Sequence, residues 1–221
     1  YGPGAENAFG GVAQAFADSV PILLLPGGNP QDREGVHPAF GSVENYKGIT
    51  KWSGYIMSPD RTVDVMRTAF SQLRNGRPGP VLVEIPDNLS KQEVGGFDYR
   101  AVPATRSAAN PDDVRDLVAA LLASKRPVIN AGQGLMNAEA TDDLVEFAEL
   151  TGIAVFTTLA GKSGFPENHP LSLGCGARTA TGMSEHFLMN ADFLLGVGTS
   201  FTKSVFGSPV PDGVVLAQVT N

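Results

Sequence analysis

Three stretches of the chain have residue types and spacing that could do chemistry. The first is "GPGAEN" at 2–7, two glycines flanking a proline ahead of an alanine-rich run. Glycines just before a helix can hold a phosphate on free backbone N–H groups. A dinucleotide fingerprint needs G-x-G-x-x-G, and Asn7 stands where its third glycine belongs. Pro3 also removes one N–H that a phosphate would use. A rigid turn presenting Pro3 and Asn7 to a flat ring suits these residues better. A plain strand-to-helix turn without a ligand stays open on residue types alone. The second stretch, "GQGLMN" at 132–137, has the same G-x-G-x-x-N form and directly follows the strand-like "PVINA". A nucleotide turn and a purely structural turn are both open there. The third, "AGKSG" at 160–164, contains G-K-S, but a phosphate-binding Walker loop requires a glycine where Phe156 stands. Lys162 therefore reads as a surface or interface charge.

Other chemistries find little support. The lone cysteine, Cys175, excludes an internal disulfide, and His37, His169 and His186 fall at no metal-ligand spacing. No metal site is expected. Glu6, Glu84 and Asp87 sit near strand ends or helix starts but form no acid/base pair by spacing. Ser19 follows Asp18 without a G-x-S-x-G context. The formal net charge is −7 and the pI about 4.9, with no basic stripe, so nucleic acid is not an expected partner. No apolar run approaches the ~18 residues of a membrane span. The first residues form a glycine turn rather than a signal peptide, and both ends look cut. The expectation is an internal piece of a longer, cytoplasmic protein.

The elements that must position these residues follow from periodicity. Ala5, Ala8, Phe9, Val12, Ala15 and Phe16 predict one helix over 5–18, with Gly10, Gly11 and Ala13 letting it approach a sheet closely. "PILLLPGG" (21–28) and "PVLVEIPD" (80–87) read as strands buried on both faces. Residues 29–42 read as loop. Val63, Met66, Phe70 and Leu73 form one face of a helix closed by Gly76. Residues 96–110 are a linker. Alternation then restarts with a helix from Pro111, whose expected buried face is Val114, Leu117, Val118, Leu121 and Leu122. Strands at 127–132, 153–158, 193–198 and 214–219 and a helix at 140–152 complete the pattern. Strands alternating with helices mean parallel sheets, hence an α/β fold of two doubly wound units. In such sheets ligands bind at the carboxyl ends of strands, where both glycine turns point.

The words "GPGAENAFGGVAQAFADSVPILLLPG", "NGRPGPVLVEIPDN", "RPVINAGQG", "GIAVFTTLAGKSGFPENHPLSLG" and "ADFLLGVGTSF" run in one order along the chain. In wording and order the chain resembles the thiamine-diphosphate-dependent enzymes of the acetolactate synthase type. The resemblance implies that 1–95 is the C-terminal half of a pyrimidine-binding domain. It implies that 111–221 is a truncated, Rossmann-like central domain. The cofactors implied are thiamine diphosphate and Mg²⁺, the metal and the diphosphate being held by a third domain that is not in this sequence. The glutamate that helps form the C2 ylid would lie upstream, and no G-D-G…N motif occurs here. No catalytic residue is therefore expected within the chain, and the piece alone should be inactive.

Carried over by resemblance, Pro3 and Asn7 contact the aminopyrimidine, Gly2 and Gly4 shape that turn, and Phe40 lies near the substrate. Gly28, Gly41 and Ser42 depart from the acetolactate synthase pattern, which puts that reaction in doubt. Gly132, Gly134, Thr158 and Leu159 match positions lining a flavin. Ser200, Thr202 and Lys203 replace the arginine and carboxylates of FAD-binding members, so FAD is possible but not the expectation. The implied activity is that of a lyase or transferase acting on a 2-oxo acid or related acyl donor, a small-molecule substrate. The implied assembly is a homodimer or homotetramer, and the cut sheets should make the piece behave poorly alone. An FAD-containing acetolactate synthase, a non-catalytic nucleotide-binding protein and a structural assembly module of the same fold are the alternatives.

Overall fold

A computed structural model describes residues 2–177, 180–203, 205 and 207–220. The chain divides into two units, 1–107 and 108–221.

In the first unit the central strand is β4 (Val81–Pro86), whose side chains are nearly all buried. Helix α1 (Pro3–Glu6) and helix α2 (Phe9–Ala17) precede two short strands, β1 (Leu23–Leu24) and β2 (Gly27–Gly28). Both pair with β4 in parallel, Leu23 opposite Val81 and Gly27 opposite Ile85. They are one ribbon interrupted at Pro26, which has no N–H for the ladder and still accepts from Ile85 through its carbonyl. The expected 21–28 strand is thus broken, and it is half-buried rather than covered on both faces. Helix α3 (Ser42–Tyr46), strand β3 (Trp52–Tyr55) and helix α4 (Thr62–Arg74) follow, β3 pairing in parallel with β4.

The single helix expected over 5–18 is two. The Ala8 N–H bonds the Ala5 carbonyl, three residues back, which tightens the backbone between them. Only Val12 and Ala15 of its expected face are buried; Phe9 and Phe16 are 40% and 43% exposed. The helix meets its neighbours along one i, i+3 seam, Val12 joining Tyr46 and Leu82. Gly10 and Gly11 face open space rather than a sheet. On α4 the core face is Val65, Met66, Ala69 and Leu73, one step round from the expected one. Phe70 instead meets Tyr99, their ring centroids 6.5 Å apart. The ammonium of Lys51 donates to the Gln72 and Asn75 carbonyls, closing the C-terminus of α4.

The second unit opens with α5 (Pro111–Ala123), capped by the Asn110 side chain accepting from the Asp112 N–H at 3.0 Å. Then come β5 (Pro127–Ala131), α6 (Gln133–Asn137), α7 (Thr141–Thr151), β6 (Val155–Thr157) and β7 (Ser172–Cys175). Helix α8 (Gly182–Met189), β8 (Phe193–Val197) and β9 (Val215–Val219) finish the described chain. The sheet order is β7-β6-β5-β8-β9, every pairing parallel. Leu121 is buried and Leu117 packs beside it, but Val114, Val118 and Leu122 of the expected α5 face are exposed, Leu122 by 79%. One row of α5, rather than a broad stripe, reaches the cluster around Ile129 and Val155. Gly152, at φ +68°, ends α7 in the left-handed conformation that favours glycine. Strands alternating with helices thus produce two parallel α/β units, as the pattern predicts.

Candidate functional site

The first unit's ligand edge lies at the carboxyl ends of β2, β3 and β4. Glu84, on β4, is 2% exposed. A carboxylate inside an apolar strand must find polar partners. Here the Val43 N–H donates to Glu84 Oε2 at 2.9 Å, and the Ser42 N–H supplies a second favourable interaction. The carboxyl therefore sits at the start of α3. Gly28 makes this possible: a Cβ there would lie 2.5 Å from Glu84 Oε1. The Oγ of Ser42, itself buried, has no hydrogen-bond partner. Glu34 and Tyr55 are the titratable groups whose charges couple to this corner.

Burial is the largest influence on Glu84 and raises its pKa above 4.5; the Val43 N–H opposes this and the Glu34 charge adds to it. A carboxyl whose folded pKa is raised binds its proton more tightly when folded. Its contribution to stability is fully present below the unfolded value and is lost as pH rises through the folded one. The unfolding midpoint of Glu84→Gln relative to the parent should therefore move in the variant's favour as pH rises from 4 to 8. Thermal melts across that range check this; a difference independent of pH would contradict it.

The Gly2–Asn7 turn is itself helical rather than a loop before a helix. Gly2 has φ +62° and ψ −128°, Pro3 is the first helical residue and Asn7 caps the far end. Pro3, Gly4 and Asn7 are exposed. The N–H groups of Ala5 and Glu6 bond the Gly2 carbonyl at 2.9 and 3.2 Å, so neither is available to a phosphate. The turn thus offers a flat proline face and an amide side chain to solvent. Tyr46, 1% exposed, donates its hydroxyl to the Ala5 carbonyl, and the Phe9 ring lies 5.3 Å from its own. Phe40 packs against the cluster of Val12, Tyr46 and Leu82.

In the second unit the strand order reverses between β5 and β8, the topological switch point where a crevice is expected. Two glycine turns meet there. The Gly132 N–H bonds the Val197 carbonyl at 2.8 Å and the Gly134 N–H bonds the Gly198 carbonyl at 2.9 Å. A Cβ on Gly132 would come 2.3 Å from the Gly198 oxygen, so backbone packs on backbone. Thr158 turns its hydroxyl to the Gly161 N–H at 3.0 Å, and Leu159 is exposed. A cleft of about 270 Å³ in this unit is lined by Gly176, Ala177, Ser184, Glu185 and Leu188 among others; none of Gly132, Gly134, Thr158 and Leu159 borders it. Of the residues expected to mark its flavin-free character, Ser200 and Thr202 bond each other through their hydroxyls at 2.6 Å. Among the described residues no group of His, Cys, Asp or Glu could hold a metal, and no helix is long and apolar enough to cross a membrane.

The sequence missed the Glu84–α3 contact because 41 residues separate its partners. The available signal was a single acid inside "VLVEIP".

Residues 114–219 match the thiamine pyrophosphate enzyme central domain. The chain is 33% identical over 217 residues to a "Probable acetolactate synthase large subunit" of Methanocaldococcus jannaschii, covering 93% of this chain and 36% of that protein. The second unit belongs to the thiamine pyrophosphate enzyme central-domain family. It is also 34% identical over 215 residues to a glyoxylate carboligase of Escherichia coli O157:H7, covering 94% of this chain and 36% of that relative. A benzoylformate decarboxylase from Polynucleobacter necessarius shares the fold, with TM-score 0.83 at 23% identity over 99% of this chain and 42% of that one. The two sequence matches run through both parallel α/β units. The chain spans 36% of the length of each of the two relatives named by sequence.

Proposed function

We propose that this chain works within a longer polypeptide that uses thiamine diphosphate and Mg²⁺ to act on a 2-oxo acid. The observation that carries the reading is the Gly2–Asn7 turn, exposed at Pro3 and Asn7, with its Ala5 and Glu6 N–H groups turned inward to the Gly2 carbonyl. Gly2, Pro3, Gly4 and Asn7 would meet the aminopyrimidine ring. Bound there, the cofactor supplies an electron sink for the carbon freed when a 2-oxo acid loses carbon dioxide. The chain's own part is to orient the ring through Pro3 and Asn7 and to shape the approach to it with the loop carrying Phe40. The proton-relaying glutamate and the Mg²⁺ ligands belong to the rest of the polypeptide, so the 221-residue stretch alone turns nothing over.

Residues 1–95 are proposed as the latter part of the pyrimidine-binding domain and 111–221 as a central domain that holds no flavin. The inward use of the Gly132 and Gly134 N–H groups and the small hydroxyls at Ser200 and Thr202 support the flavin-free reading. A cytoplasmic dimer or tetramer is the assembly that goes with it.

The test is the purified complete polypeptide with thiamine diphosphate and Mg²⁺, assayed on pyruvate, glyoxylate and larger 2-oxo acids. Cofactor-dependent carbon dioxide release from at least one of them, by a colourless protein, is expected. Absence of turnover on all of them overturns the 2-oxo acid reading, and a bound flavin absorbance overturns the flavin-free one.

A further inference from the structure

We propose that Glu84 and Tyr46 are positioning residues for the Gly2–Asn7 turn, acting through α3 as a bracket between the central strand and that turn. The inference rests on the reading that the turn meets the cofactor ring.

Helix α3 has five residues, too few to hold together without outside contacts. Its two ends are fixed differently. At the start, the Val43 N–H rests on the Glu84 carboxyl of β4, in the room left by the missing side chain of Gly28. At the end, Tyr46 is buried, its carbonyl accepts from the Thr50 hydroxyl at 2.9 Å, and its own hydroxyl reaches back to the Ala5 carbonyl. Ala5 lies between Pro3 and Asn7 in sequence. The turn is otherwise an exposed four-residue helix with no buried residue of its own. The bond from Tyr46 therefore links α3, seated on the buried strand β4, to the exposed Gly2–Asn7 turn. Phe40 lies two residues before α3 and packs on the same cluster, so the anchor that seats α3 also seats the Phe40 loop.

Such a bracket has consequences that simple core packing does not. Tyr46→Phe keeps the ring against Phe9 and removes only the oxygen. Glu84→Met keeps length and removes both acceptors. Glu84→Gln keeps one acceptor and serves as the conservative control.

The experiment uses the complete polypeptide with two readouts, the Kd for thiamine diphosphate in the presence of Mg²⁺ and amide hydrogen exchange without cofactor. Tyr46→Phe should weaken binding about three- to tenfold, the range of a single hydrogen bond. Glu84→Met should weaken it at least as much, and Glu84→Gln by less than either. In both Tyr46→Phe and Glu84→Met, exchange should quicken at residues 4–7, with β4 and the second unit unchanged. The exchange readout does not depend on cofactor chemistry. If exchange quickens at 4–7 but the parent protein binds no thiamine diphosphate, the coupling stands and the functional reading fails. If the parent binds and Tyr46→Phe leaves both affinity and exchange at 4–7 untouched, the bracket is overturned. Exchange that quickens everywhere in Tyr46→Phe, with affinity unchanged, also overturns it, because it marks a purely structural role.

Discussion

Replacing Gly198 by alanine is expected to cost the second unit about 2–6 kcal/mol, a large part of the ~5–15 kcal/mol that holds a domain folded. Two effects add. Gly198 has φ +63°, which a side chain rarely adopts. Its added Cβ would also lie 2.2 Å from the Leu135 nitrogen and 2.6 Å from the Gly134 carbonyl carbon. Both atoms are backbone, so no rotamer change relieves the clash. The first turn of α6 would have to move away from the end of β8, breaking the Gly134 N–H to Gly198 carbonyl bond. Gly152→Ala is the control. It shares the positive φ, at +68°, but its Cβ would meet nothing within 4 Å. Only backbone strain remains there, about 1–2 kcal/mol. Urea unfolding of the complete polypeptide checks both. Equal losses would mean that the junction of the two glycine turns is not close-packed.

That junction also shows what could be read in the sequence. "PVINAGQG" and "FLLGVG" each place glycine just after a buried strand, and periodicity alone sets them at the ligand edge of a parallel sheet. What periodicity could not give is that the two edges fill each other. β5 and β8 are some sixty residues apart, and their neighbour relation comes from sheet order, which no local pattern encodes. The same limit explains Glu84. Its strand is legible, but its partner N–H, that of Val43, lies on a five-residue helix that starts at the last residue of the stretch read as loop. Helices this short carry no period. Strand β3 escaped because "WSGY" is short and places Gly54 beneath the Trp52 ring, giving neither alternation nor an apolar run. The faces of α2 and α5 differ from expectation for another reason. Phe9, Phe16, Val114 and Val118 satisfy the helical spacing, yet each helix touches its sheet along a narrower seam than its apolar stripe.

Gly2→Ala should change the Gly2–Asn7 turn through the backbone alone. Gly2 combines φ +62° with ψ −128°, a backbone state essentially reserved for glycine. A Cβ there meets nothing within 4 Å, so alanine would clash with no neighbour and act only through the backbone. The expected response is local. The turn relaxes, the Ala5 and Glu6 N–H groups lose their common acceptor, and Pro3 and Asn7 shift. Strain of about 1–3 kcal/mol corresponds to roughly 5- to 150-fold in affinity. Stability of the rest of the unit should barely change, since no residue of α1 is buried.

Titration calorimetry of thiamine diphosphate, with Mg²⁺, into the complete polypeptide and its Gly2→Ala variant tests the central claim most directly. The parent should bind the cofactor and the variant should bind it at least about fivefold more weakly with an unchanged unfolding midpoint. No binding by the parent, or equal binding by both, would contradict the assignment of this turn to the cofactor ring.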